Sequence, residues 1–107
     1  MTVDIHKYQD ANGKVPFDHW LGRLKDSRAK ARILVRIDRL RLGNEGDWKS
    51  VGDGVRELRV PEGPGYRVYY ARDGSELVLL LCGGDKSSQD GDIGKAKKYW
   101  RDYCESK

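Results

Sequence analysis

Residues 54–86 read GVRELRVPEGPGYRVYYARDGSELVLLLCGGDK. Apolar and polar side chains alternate here with a period of two, the pattern of strands that bury one face. Arg56, Leu58 and Val60 fall on one face of the first strand, and Val55, Glu57 and Arg59 on the other. Pro61, Gly63, Pro64 and Gly65 form a connection, after which Tyr66, Val68 and Tyr70 alternate with Arg67, Tyr69 and Ala71. Asp73-Gly74 is hairpin chemistry, and the run 77–82 that follows is apolar on both faces. That run predicts a central strand ended by Gly83-Gly84. The stretch therefore reads as a three-stranded antiparallel meander.

Upstream, Val3 and Ile5 alternate with polar neighbours and predict a first strand within residues 2–8, closed by Asn12-Gly13. Phe17, Trp20, Leu21 and Leu24 then recur at helical spacing, with Pro16 in the first turn. Asp26-Ser27 can cap a second helix whose apolar positions are Ile33, Leu34, Ile37 and Leu40, stopped by Gly43-Asn44. This second helix carries Arg28, Arg32, Arg36 and Arg39 on one sector opposite the apolar stripe, a basic ridge that also suits a merely solvated helix face. Downstream, Asp90 or Asp92 can cap a last helix carrying Ile93, Ala96, Trp100 and Tyr103. Strand, helical hairpin, meander and helix make an α+β fold with helices on one sheet face. An antiparallel sheet can leave its other face open, and Arg67, on the face opposite Val68, is expected to point there.

At 107 residues the chain is a single domain, residues 1–107. Lys and Arg number 21 against 17 Asp and Glu, for a net charge of +4, which favours nucleic acid or an acidic partner. The longest apolar run, 77–82, is far short of the roughly 20 residues that span a bilayer. The N-terminus MTVDIHKYQD does not have the regions of a signal peptide, so a cytoplasmic protein without membrane contact is expected. Cys82 and Cys104 form no CxxC pair, and no His cluster accompanies them; two reduced thiols and no metal site are expected.

Residues 43–50, GNEGDWKS, resemble a P-loop only superficially, because Trp48 stands where the second glycine belongs and a helix precedes the segment. Gly52-Asp53-Gly54 and Gly63-Pro64-Gly65 read as turns, and neither His6 nor His19 sits in a nucleophile motif. Lys49, Arg56, Arg59, Arg67 and Lys86 remain, on or beside adjacent strands. Converging cations of this kind hold phosphate oxygens and can stabilise the added charge of a pentacoordinate phosphate. RNA needs no cofactor for such chemistry, since its 2′-hydroxyl can attack the adjacent phosphorus. Arginine is a poor proton carrier, which leaves Lys49, Lys86, Asp85 or Tyr69 for that part. The competing use of the same cations is cross-strand pairing with Glu57, Asp73 and Glu76.

The succession GVRELRV, GPGYRVYY, an apolar strand with GGDKSSQ and a helix with DIGKAKKYW resembles the RelE/ParE superfamily of toxins from type II toxin-antitoxin modules. It is most similar to the HigB-like addiction-module killer proteins. FDHWLGRL and RIDRLRLGNEGD extend the likeness over nearly the whole chain. The resemblance implies a RelE-like fold and a toxin that cuts mRNA in the ribosomal A site. It makes Arg67 the arginine at the scissile phosphate, Lys86 a basic residue after the last long strand and Arg59 a third cation. On this reading Arg67, Lys86 and Lys49 are catalytic, and Arg56, Arg59, Arg32, Arg36 and Arg39 bind RNA. Glu57 departs from the pattern by standing where ribosome-dependent RelE toxins tend to place a lysine. No tyrosine aligns with their C-terminal catalytic one, and the ending YWRDYCESK does not match the Asp-Tyr-His of some HigB toxins. Those departures keep open a ParE-like, non-enzymatic poison of DNA gyrase, or a toxin that has lost activity. Expected partners are a cognate helix-turn-helix antitoxin, the ribosome and mRNA, with operator DNA reached only through the antitoxin complex.

Overall fold

The computed structural model describes residues 2–107. Its elements are β1 (Asp4–Lys7), α1 (Pro16–Arg23), α2 (Ser27–Arg41), β2 (Trp48–Gly52), β3 (Val55–Val60), β4 (Tyr66–Asp73), β5 (Leu77–Asp85), a single 3₁₀ turn (Lys86–Ser88) and α3 (Gln89–Glu105). The sheet order is β1-β5-β4-β3-β2, with β1 parallel to β5 and every other pair antiparallel. An α+β architecture with an N-terminal strand, helical hairpin and C-terminal helix is thus present and compatible with a RelE-like fold. The run 77–82 does lie in a central strand, between β1 and β4.

The meander has four strands where three were expected. Trp48–Gly52 is the additional strand, joined to β3 by a two-residue turn in which Asp53 and Gly54 both have positive φ, 57° and 84°. Asp-Gly favours that turn because its twist matches the flanking strands. All but one of the residues of β2 are exposed, so no apolar alternation announces it.

Gly83 and Gly84 do not break the chain but continue β5, opposite Val68 and Arg67. Their missing side chains admit two neighbours: a Cβ on Gly83 would overlap the Trp20 ring, and one on Gly84 the Asp92 carboxylate. The strand ends one residue later, where Asp85 caps the 3₁₀ turn by accepting from the Ser87 N–H at 2.9 Å. Asp90 and Asp92 therefore sit inside the first turn of α3 instead of capping it.

Both sheet faces carry helices, contrary to the expectation of one open face. α1 and α2 cover the face bearing Leu58, Val60, Val68, Tyr70, Val78 and Leu80, through Phe17, Ala29, Ile33 and Leu40. Asp26 caps α2 by accepting from the Ala29 N–H at 3.1 Å. On the opposite face α3 lies over Val55, Tyr69, Ala71, Leu79 and Leu81, with Ala96 fully buried and Ile93, Tyr99, Trp100 and Tyr103 packed around this core. Tyr103 and Tyr8 tie this helix down by donating to Asp73 at 2.7 Å and to Asp102 at 2.6 Å. α3 begins only at Gln89, however, and the end of the sheet beyond it is left for polar residues.

Candidate phosphate-binding site

Alternation along β3 and β4 puts Glu57, Arg59, Arg67 and Tyr69 on the α3 face, just past the N-terminus of that helix. Glu57 is completely buried. Its Oε2 accepts from the Tyr69 hydroxyl at 3.1 Å and from the Gln89 amide at 2.8 Å. Its Oε1 faces the Nε of Arg59 at 3.5 Å and the Nε of Arg67 at 3.6 Å. Lys49 is the cross-strand partner of Glu57 in β2. Burial pushes the Glu57 carboxyl up, but Gln89, Tyr69, Arg67 and Lys49 together reverse this and hold it below the usual carboxylate range. The carboxylate is ionised and saturated with donors.

Arg67 is mostly sunk into the sheet, with 14% of its side chain exposed. Its Nη1 donates to the Gly65 carbonyl at 3.1 Å, while its buried Nε–H has no hydrogen-bond acceptor. Gly65 has φ of 83°, and a Cβ there would lie 3.5 Å from the Arg67 Nη1 and 4.0 Å from the Lys86 Cβ. Lys86 thus flanks the guanidinium. Lys49, Arg59 and Arg67 carry three positive charges against one on Glu57, a surplus of two; Lys86 and Asp85 add one of each sign. The N-terminus of α3 adds its partial positive charge beside Gln89. A cationic surface with guanidinium donors unspent is suited to an oxyanion.

Proton-moving groups are scarcer. Burial and Glu57 push the Tyr69 hydroxyl far above its ordinary range and spend it on the carboxylate, so Tyr69 cannot serve as the proton carrier the sequence allowed. Hydrogen bonds from Ser87 hold Asp85 below the usual range, as an acceptor. Lys49 and Lys86 are exposed amines.

The structure separates the remaining cations from this cluster. Arg56 lies on the α2 face, where it donates to Glu45, stacks over the Trp48 ring at 4.3 Å and shares Glu45 with Tyr70. Arg36 is a scaffold residue, donating to the Arg59 carbonyl at 2.6 Å and the Asp47 carbonyl at 3.3 Å. Arg28 and Arg32 pair with Glu62 at 3.3 and 3.7 Å, and Arg39 is exposed on α2. The basic ridge and the Arg67 cluster are therefore different surfaces. Nor is the ridge opposite a clean apolar stripe, since Leu34 and Val35 are about half exposed while Ala29 is buried. Sequence reasoning missed Gln89 and the positioning role of Glu57. The only signal was a carboxylate alternating in phase with Arg59 on one strand face. Of the competing acidic partners, Asp73 is engaged by Lys107 at 2.7 Å and not by this cluster.

A small α+β protein whose meander gathers Arg59, Arg67 and Lys86 at one end of the sheet falls in the RelE/ParE-type, toxin-like class. Within it, the chain belongs to the family described as phage derived protein Gp49-like (DUF891), whose model matches residues 19–99. An uncharacterized protein of Haemophilus influenzae is 62% identical over 81 residues, covering 76% of this chain and 82% of its relative. The Gp49-like family is associated with toxins of toxin-antitoxin modules, for which a cognate antitoxin is the natural partner. Among the described residues no helix is long and apolar enough to cross a membrane.

Proposed function

We propose that this protein is the toxin of a type II toxin-antitoxin pair and acts as a ribosome-dependent mRNA interferase, with Arg67 at the scissile phosphate. One observation supports this above the rest: Arg67 is oriented by Glu57 through its buried Nε side and by Gly65 through Nη1, which leaves Nη2 for a ligand beside Arg59, Lys49 and Lys86. In-line attack by the RNA 2′-hydroxyl forms a bond to phosphorus, expels the 5′-oxygen and leaves a cyclic phosphate. Arg67 and Arg59 would meet the charge that builds on the phosphorane, as fixed donors do at developing oxyanions. Lys86 and Lys49 are the exposed ammonium groups able to protonate the leaving oxygen; Asp85, held below the usual carboxylate range by its Ser87 hydrogen bonds, is a weak base, so the proton of the 2′-hydroxyl passes to solvent. Primer extension on translated message should show codon-linked cuts that vanish in Arg67→Ala. Intact message during growth arrest would sink this reading.

The sequestered pair Tyr69 and Glu57 favours a second reading, a ParE-like poison of DNA gyrase that needs no acid or base. Purified gyrase would then accumulate cleavage complexes on adding the toxin. In either case a helix-turn-helix antitoxin would mask the cationic end of the sheet, and the pair would act together on operator DNA.

A further inference from the structure

β1 covers only the first part of β5: it pairs over residues 77–80, and the Tyr8 N–H donates to the Leu80 carbonyl at 2.9 Å. Among the described residues no strand lies on that side of 82–85. A cleft of about 440 Å³ opens there between α1 and α3, floored by the end of β5. Trp20 from α1, Leu24 at its C-terminal cap and Tyr99 from α3 give it an apolar, largely aromatic wall. The Trp20 ring occupies the space that a Cβ on Gly83 would fill, so the glycine sets the position of the wall. Asp92 is half-buried inside and accepts from the Ser88 hydroxyl at 2.5 Å. Arg23 and Lys95 are exposed at the rim. Ser88, Asp92 and Lys95 also border a shallower hollow of about 350 Å³ that reaches Lys86 and Gln89. The two hollows share a border at Ser88, Asp92 and Lys95, and the second ends at Gln89, whose amide donates to Glu57 beside Arg67.

An aromatic wall, an acceptor carboxylate within and cations at the mouth match the parts of a nucleotide: a planar base with N–H donors on its edge, and a phosphate outside. A carboxylate on the floor repels a phosphate and so favours the base end. We propose that this cleft receives the base of an RNA nucleotide flanking the phosphate held at Arg67, with Asp92 accepting from the base edge and Arg23 and Lys95 on the adjoining phosphate. The assignment rests on the RNA reading of the Arg67 cluster.

NMR titration with a single-stranded 2′-O-methyl RNA trinucleotide, which does not carry the attacking hydroxyl, tests it against inorganic phosphate. The trinucleotide should shift the Trp20 indole and Tyr99 ring signals together with those of Arg59 and Arg67, whereas phosphate should shift the arginines alone. Joint Arg23→Glu and Lys95→Glu replacement should weaken the trinucleotide roughly tenfold, as loss of two phosphate contacts does at moderate salt. Shifts at Arg59 and Arg67 without any at Trp20 or Tyr99 would overturn the cleft assignment and leave the Arg67 reading standing. Cleft shifts that persist undiminished in the double variant would also overturn it. No shift anywhere would overturn both readings.

Discussion

The Nε of Arg67 lies 3.6 Å from Oε1 of Glu57, a fully buried carboxylate beside an arginine side chain that is 14% exposed. The carboxylate also takes hydrogen bonds from Tyr69 and Gln89, which fixes its position. Arg67 is thereby aimed by a group that never meets solvent. The same carboxylate anchors the end of the sheet and orients the cations.

Glu57→Gln keeps the shape but removes the charge, leaving Arg67 and Arg59 facing a neutral amide. Loss of one member of a buried pair costs about 3 kcal/mol or more. Urea unfolding should show a lowered midpoint with an unchanged slope. A variant as stable as the parent would contradict the anchoring role.

Arg67→Lys retains a cation beside Glu57 but not the planar fork. Most of the stability should remain, while message cleavage falls by about two orders of magnitude, or about 3 kcal/mol of transition-state stabilisation. Quantitative primer extension measures the fall. Full activity in the lysine variant would remove the guanidinium from the phosphate.

The pH dependence follows from the lowered Glu57 carboxyl. A group whose folded pKa is depressed contributes stability that is complete above its unfolded value, about 4.3 for glutamate, and is lost as pH falls through the folded value. Urea midpoints measured between about pH 3 and pH 7 should therefore drop on acidification more steeply in the parent than in Glu57→Gln. Parallel profiles would show that Glu57 is not the titrating group.

Gly83→Ala places a methyl group in overlap with atoms of the Trp20 ring, so the ring or the strand must shift. Overpacking of this kind costs about 1–3 kcal/mol. For a domain of this length, thermal unfolding should fall by about 4 °C or more for each kcal/mol. Gly74→Ala is no control for it, since Gly74 has φ of 72° and is strained by any side chain. Gly22, with open space around it and ordinary φ, is the comparison.

The two cysteines should separate chemically. Burial and Asp92 push the Cys82 thiol up to about 12, while Cys104 is exposed. Iodoacetamide at neutral pH should modify Cys104 alone in the folded protein, and both in urea. Mass spectrometry of the native sample showing Cys82 labelled as fast as Cys104 would argue that the end of β5 opens readily.

Much of this molecule is written in short-range pattern. The period of two in GYRVYY, the helical spacing of Phe17, Trp20, Leu21 and Leu24, and the Asp26 cap all act within a turn or a strand, where neighbouring residues dictate the outcome. The cation set was visible for the same reason, as was its alternation across the strand. Three features had no local signature. β2 is an edge strand with hardly any buried side chain, so only pairing with β3 defines it. Gly83-Gly84 looks like a break until Trp20, far away in sequence, and Asp92, from the next helix, fill the vacant side-chain positions. Gln89 reaches Glu57 only because α3 crosses the sheet at that point. Alternation along β3 already set Arg56 and Arg59 on opposite faces, but only the strand register joined Arg59 to Arg67, and only tertiary structure made Glu57 a positioning carboxylate, since charges become partners through burial and distance.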